Sequence, residues 1–267
     1  MMVPVPRPVT RPAARLGAAL LALAGPCAAP VRAEPVHAEA VRAEPVRAEP
    51  LRAVVELFTS QGCAACRGAD PVFRDLAGRP GIVALTLPVT YWDYLGWKDT
   101  LAQKPFTERQ HAYAGPHGIR QVFTPQAIVN GAASVVASDR AGLERALARE
   151  AVQPGGLSVP VRGEERGDRI VIDVGAGGQR GEVWLLSVLR RRPVAIERGE
   201  NRGRTATYLN VVRGIQRVGP WSGQPVHYEV PLPSARAADA DAWVVVLQGA
   251  SNGKPGRIWG AAKGPGL

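Results

Sequence analysis

The feature that narrows the fold most is the run VVELFTSQGCAAC, residues 54–66, which sets an apolar segment before Cys63 and Cys66. Ala53–Phe58 is short, rich in β-branched residues and bounded by polar turn residues, so it reads as a strand. A helix is expected from Cys63 to Ala77, with Val72 and Leu76 four apart on one face. Pro71 should kink that helix by displacing a backbone hydrogen bond, and Gly62 should let the chain turn into it. Cysteines at such a junction meet the unpaired N–H groups and partial positive charge of a helix start. That field favours a thiolate, so Cys63 is expected to be the accessible nucleophile that attacks a substrate disulfide. Cys66, one turn on and more buried, would resolve the mixed disulfide. As a staple the pair does little. A bridge over so short a loop contributes about 2 kcal/mol, against roughly 3 for a 15-residue loop.

The surrounding pattern alternates strands and helices. Ile82–Leu87 is a second apolar strand, and a helix is expected over Pro105–Ala114. Ala127–Val129 and Ala133–Val136 flank Asn130-Gly131, a strong two-residue hairpin signal. A helix from Asp139 to about Ala151, capped by Ser138 or Asp139, closes the segment. The order β-α-β-α-β-β-α is that of a thioredoxin fold, assigned to residues 53–152. Gln153-Pro154-Gly155-Gly156 reads as a linker, and the pattern then changes to strands at short intervals. Ile170–Val174, Glu182–Leu189, Thr205–Val212, Val226–Leu232 and Trp243–Gln248 are separated by Gly, Pro and Asn turns. The expected fold class is therefore an α/β thioredoxin-like domain followed by an all-β antiparallel sandwich-like domain over 153–267. Trp184, Leu186, Trp243 and Val244–Leu247 would cover its inner faces.

The first 33 residues read as a signal peptide. Arg7, Arg11 and Arg15 precede the apolar Leu16–Ala24, and Val31-Arg32-Ala33 forms a small-residue cleavage site. The apolar run is far short of the roughly 20 residues a membrane span needs. Uncleaved anchoring and lipidation at Cys27 are the alternatives, the latter disfavoured by Pro26. Cleavage removes four arginines and no acidic residue, so the formal charge falls from +10 to +6, and it leaves two cysteines. The expected location is periplasmic or secreted, with no stable membrane insertion after signal removal. Residues 34–52 repeat a PVRAE-like unit and read as an extended, semi-rigid tether in which His37 is solvated. The remaining positive charge is scattered and lacks interleaved aromatics, which argues against nucleic acid as a partner.

Further site candidates lie around the cysteines. Glu56, mid-strand, would be buried in a central strand and able to relay protons to the deeper sulfur; the plainer reading is an edge carboxylate paired with an arginine. Thr124-Pro125 enters the hairpin strand, where the proline is expected to be cis, opposite the cysteines, freeing backbone for a substrate. A trans turn proline is the alternative. Tyr91, Trp92, Tyr94 and Trp97 cluster within seven residues. They would form a recognition surface or, more simply, anchor a loop on the core, with Asp93, Lys98 and Asp99 solvated or locally paired. Glu197, Glu200 and Asn201 read as a polar hairpin connection. A zinc site needs more ligands than His111 and His117 supply beside the cysteines, and copper on the two thiolates is the metal alternative. Peroxidase chemistry is disfavoured, since Ser60 stands where a threonine is usual.

The strings VVELFTSQGCAAC, YWDYLGWKD, PFTERQHAYA and VFTPQAIVNG, with GENRGRTATYLNVVRG further on, resemble a bacterial family of secreted proteins of unknown function. The resemblance spans roughly residues 53–262 and implies a thioredoxin-like first half and a β-rich second half, with the family's cysteine pair at Cys63 and Cys66. Members often carry two prolines after the second cysteine, where this chain has Arg67-Gly68. Many read FHVDYWD where this chain has LPVTYWD, so Pro88 and Thr90 replace a histidine and an acidic residue. Any metal or acid-base role at those positions is thereby weakened here.

The expected activity is thiol-disulfide exchange with protein thiols or disulfides. Cys63, Cys66, Glu56 and Pro125 form the reacting group, Thr124, Tyr91, Trp92 and Trp97 contact substrate, and neither cofactor nor metal is needed. The alternative is a non-enzymatic envelope binding protein, acting as a redox sensor or copper site.

Overall fold

The structure is a computed structural model that describes residues 50–115, 117–152, 156–236, 239–251 and 254–267. The expected signal peptide, nearly all of the expected tether and most of the expected 153–156 linker lie outside the described residues. Arg47–Leu267 forms one compact unit.

The first half follows the expected order. β1 (Ala53–Thr59) leads through a 3-10 turn (Ala64–Gly68) into α1 (Ala69–Ala77) and β2 (Ile82–Pro88). α2 (Lys104–Ala114), the hairpin β3 (Gln126–Val129) and β4 (Ala133–Val136), and α3 (Arg140–Val152) complete it. Asn130 and Gly131 take positive φ of 49° and 63°, the geometry that a two-residue hairpin turn demands. Asp139 Oδ1 accepts the Gly142 N–H at 2.9 Å and caps α3.

The second half holds β5 (Val161–Arg166), β6 (Arg169–Val174), β7 (Gly181–Ile196), β8 (Arg204–Trp221), β9 (Val226–Pro231), the short α4 (Leu232–Ala235), β10 (Ala242–Ser251) and β11 (Lys254–Lys263). Its strands do not close into a separate sandwich, and the first half does not stand as a separate thioredoxin-like α/β domain; both points correct the expected fold class. One eight-stranded mixed sheet runs β11-β10-β7-β8-β2-β1-β3-β4 through both halves, and only β5-β6-β9 form a sheet of their own. The seam is the parallel contact of β2 with β8 at Thr86 and Val211. Side chains reinforce it: Thr86 Oγ1 donates to the Leu209 carbonyl at 2.7 Å, and Asn210 Nδ2 to the Ala84 carbonyl at 2.9 Å.

Strand alternation sorts the core into two faces. Val54, Phe58, Leu85, Leu186, Val244 and Val246 point to the side covered by Phe106 and Tyr113 of α2. On the opposite face, Val55, Leu57 and Ala84 meet α1 and α3, while Val183, Leu185, Val245 and Leu247 meet the three-stranded sheet. No described helix is long and apolar enough to cross a membrane.

Candidate functional site

β1 runs out at Thr59, and the turn Ser60-Gln61-Gly62 delivers Cys63 in extended geometry as N-cap of the 3-10 turn. Gly62 is not among the glycines with positive φ. Its value is room: a Cβ there would sit 3.2 Å from the Trp92 carbonyl oxygen. Pro71 falls in the first turn of α1, just after the chain changes helix type. Proline has no N–H for the Arg67 carbonyl four residues back, so the chain stays 3-10 to Gly68 and becomes α-helical at Ala69.

Cys63 and Cys66 form a disulfide. The Cys66 N–H donates to Cys63 Sγ at 3.1 Å. Thr124 Oγ1 donates to the same sulfur at 3.3 Å, and Thr124 Oγ1 in turn accepts the Trp92 indole N–H at 2.7 Å. That relay leaves the threonine proton aimed at sulfur. The Thr124-Pro125 peptide is cis. Thr124, Pro125 and Trp92 are thus gathered at the pair.

Exposure departs from expectation. Cys63 is 2 % exposed and Cys66 3 %, so neither is the open sulfur and neither the deeper one. The tip of the β7–β8 hairpin, residues 197–203, is fastened to the cysteine turn. Asn201, 3 % exposed, donates through Nδ2 to the carbonyls of Gln61 at 2.8 Å and Cys63 at 3.0 Å, while its Oδ1 has no partner. Gly199, at φ +72°, lies against Leu95 and Trp97, where a Cβ would meet both at 3.2 Å. Arg204 at the hairpin base pairs with Asp70 of α1 at 3.4 Å. Burial pushes the Asp70 carboxyl up, and Arg204 opposes that rise. Leu189, Ile196, Ala206 and Tyr208 on the hairpin arms pack with Leu101 and Trp97.

The loop after β2 fixes the other flank. Trp97 Nε1 donates to Gln61 Oε1 at 2.8 Å, so Trp97 holds the turn before the cysteines. Asp99 is buried, not solvated. Its carboxylate accepts the N–H groups of Gln61 at 2.7 Å, Leu101 at 2.8 Å and Ala102 at 3.1 Å. Burial pushes this carboxyl up to about 6 against the pull of those three donors.

Glu56 is 1 % exposed on an interior strand and is paired with an arginine, so the burial and the pairing hold while the edge placement does not. Arg109 of α2 grips it bidentately at 2.6 and 3.1 Å, and Tyr113 Oη donates to Oε2 at 2.6 Å. Gln248 of β10 joins through Arg109 Nη2 and Tyr113 Oη. Burial opposes charge on Arg109, but the Glu56 carboxylate outweighs it and holds the guanidinium above its usual range. Burial drives the Tyr113 phenol well up. Each described side-chain hydrogen bond of Glu56 goes to Arg109 or Tyr113 on the α2 face, and none to a sulfur.

Tyr91 and Trp92 line a recess of about 700 Å³ together with Tyr94, His111, Arg120 and Thr124. Trp92 and Tyr94 stack at 6.4 Å, and Tyr94 is 76 % exposed. Tyr91 Oη is buried without a hydrogen-bond partner; burial pushes its phenol up, opposed by neighbouring Gln110 and Thr124. Trp97 does not line the recess. His111 does, whereas His117 is half-buried elsewhere, and the described residues contain no cluster of three or more metal-ligating side chains.

Asn201, read from the sequence as part of a polar hairpin connection, and Asp99, read as solvated or locally paired, were not placed at the cysteines. The family-like string GENRGR was the one signal around Asn201, and nothing local tied it to the cysteines. These features define a class of mixed-sheet α+β protein that keeps a disulfide at a strand-to-helix junction, under a hairpin from its own second half. The chain belongs to the family described as "Protein of unknown function (DUF1223)", whose profile matches residues 54–248. A crystal structure of an Agrobacterium tumefaciens protein, a structural-genomics target, is similar at 37 % sequence identity and a TM-score of 0.74. That match covers 80 % of this chain and 94 % of the other. No curated protein matches.

Proposed function

We propose that this is an exported thiol-disulfide exchange protein, periplasmic or secreted, with Cys63 as the sulfur that exchanges with partner thiols or disulfides. One observation carries the reading: Cys63 Sγ accepts both the Cys66 N–H and the Thr124 O–H. Hydrogen bonds to a charged acceptor are worth about 1.5–3 kcal/mol, more than those to a neutral one, so both donors favour the thiolate over the thiol. In the reduced protein the Cys63 thiolate attacks a substrate disulfide, forming a mixed disulfide and expelling one substrate thiolate. Cys66 then attacks Cys63 Sγ, restores the internal bridge and releases the second substrate thiol. The closed form seen here is the resting oxidised state, and exchange requires the cover over the pair to shift.

The test is insulin reduction and refolding activity of the mature protein, wild type against Cys63→Ser. Turnover lost with Cys63 supports the reading. Absence of turnover in wild type, with the disulfide reducible in the folded state, rejects it. Burial of both sulfurs favours a second reading, a redox-sensing envelope binding protein. In that case reduction changes a partner's binding and no turnover occurs. Export is tested by fractionating cells that express the full chain: mature protein starting near Glu34 outside the cytoplasm supports it, and intact chain in the cytoplasm rejects it.

A further inference from the structure

We infer that the recess beside Thr124 is a binding site for a small thiol or disulfide bearing carboxylates, of about tripeptide size, and that it brings such a molecule to Cys63. This rests on the exchange reading above. Three observations point the same way. The recess, at about 700 Å³, falls within the roughly 300–1,000 Å³ of small-molecule sites. Its wall shares Thr124 and Trp92 with the hydrogen-bond relay that ends on Cys63 Sγ, so an occupant abuts the group that touches the sulfur. Its lining includes Arg120 and His111 and no carboxylate, and Arg120 has no ion-pair partner among the described residues.

The burial of the pair decides between partner sizes. A protein disulfide must lay a broad surface over its target, but Cys63 and Cys66 are 2 % and 3 % exposed, with the hairpin tip hydrogen-bonded to the turn that carries them. A small thiol needs only a gap beside Thr124. Trp92 and Tyr94 supply an apolar wall for its body, and Arg120 a counter-charge for its carboxylate. The chemistry balances with the thiol as the reductant. Its thiolate attacks Cys63 Sγ, forming a mixed disulfide, and the Cys63–Cys66 bond breaks with its electron pair on Cys66, which takes the proton. A second thiolate attacks the mixed disulfide. It leaves as the oxidised dimer, and the protein is released as the dithiol.

The experiment uses the mature protein with glutathione as the anionic probe, cysteamine as a cationic thiol and dithiothreitol as a neutral reference. Rates of disulfide reduction are compared as the glutathione-to-cysteamine ratio in wild type and in Arg120→Glu, which cancels the intrinsic reactivity of each thiol. An exposed ion pair is worth about 0.2–1 kcal/mol, so reversing the charge should lower the ratio about fivefold, and high salt should erase the difference. Arg120→Gln should give an intermediate ratio. Titration calorimetry with S-methylglutathione, which cannot exchange, should show saturable binding to wild type that weakens in Arg120→Glu. An unchanged ratio, or no binding of S-methylglutathione, overturns the site while leaving exchange intact. Should no thiol, dithiothreitol included, reduce the folded protein, the exchange reading fails. Calorimetry then still decides whether the recess binds the anion.

Discussion

Asn201→Ala removes the link between the hairpin tip and the cysteine turn, and its cost can be worked from the contacts. Asn201 Nδ2 makes two hydrogen bonds, to the carbonyls of Gln61 and Cys63. A net hydrogen bond contributes about 0.5–1.5 kcal/mol, so the pair is worth about 1–3 kcal/mol. Two details adjust this. The Cys63 carbonyl keeps a bond from the Cys66 N–H at 3.2 Å, whereas no other described donor reaches the Gln61 carbonyl. The variant also loses an Oδ1 that is buried without a partner, which returns some of the cost. A loss of about 2 kcal/mol is the expected result. In urea this lowers the unfolding midpoint by about 1 M at unchanged slope, for a slope near 2 kcal/mol per M. The cover should loosen by the same amount, so dithiothreitol should reduce the disulfide about thirtyfold faster if opening precedes attack. Asn201→Asp should cost more than alanine, because it sets a carboxylate oxygen against two carbonyl oxygens. A midpoint within about 0.2 M of wild type, or an aspartate variant as stable as the asparagine, would refute the contact as the fastening of the hairpin.

Three further outcomes follow from the site. Thr124→Val keeps the shape but removes a donor to Cys63 Sγ; alkylation of the reduced protein at neutral pH should slow about tenfold, the rate equivalent of one charge-assisted hydrogen bond. Arg109→Met leaves the Glu56 carboxylate buried and unpaired, and denaturant unfolding should show a loss of about 3–5 kcal/mol, part of it recovered when Glu56→Gln is added. Asp99 has its folded-state carboxyl raised to about 6, above its unfolded value of 3.8. Between these values the folded state binds more protons than the unfolded one, so this group's contribution to stability falls as pH rises through that window and is level above it. Unfolding midpoints measured from pH 4 to 7 should show this downward slope flattened in Asp99→Asn.

The first half was legible because its elements carry their own start and stop signals. β1 is bounded by polar residues, Asn130-Gly131 fixes a turn that tolerates two positive φ values, and Asp139 caps α3. The joining of the two halves was not legible. Arg190-Arg191-Arg192-Pro193 interrupts the apolar run of β7 and reads as its end, yet the strand continues to Ile196, pairing Arg191 with Leu209 and Pro193 with Thr207. This arm is half exposed, so it needs no apolar run. The seam to β2 rests on one backbone pairing and two side-chain bonds, which leave no periodicity to find. The parts of the site followed the same division. Cys63, Cys66 and Thr124 lie on elements with strong local signals and come together as expected. Asn201 reaches the cysteine turn only because those long strands carry it there, and the Arg109 partner of Glu56 appears only once α2 is packed on the sheet. β5 and β11 escaped notice because one is largely polar and the other is interrupted by Pro255, Gly256 and Gly260.

The most direct trial of the account is an ultraviolet titration of thiolate absorbance in the reduced protein, with Cys66→Ser used to isolate Cys63. Cys63 should ionise well below the free-thiol value of about 8.5, and Thr124→Val should move the transition upward. A Cys63 thiol that ionises at or above that value, indifferent to Thr124, would contradict the account.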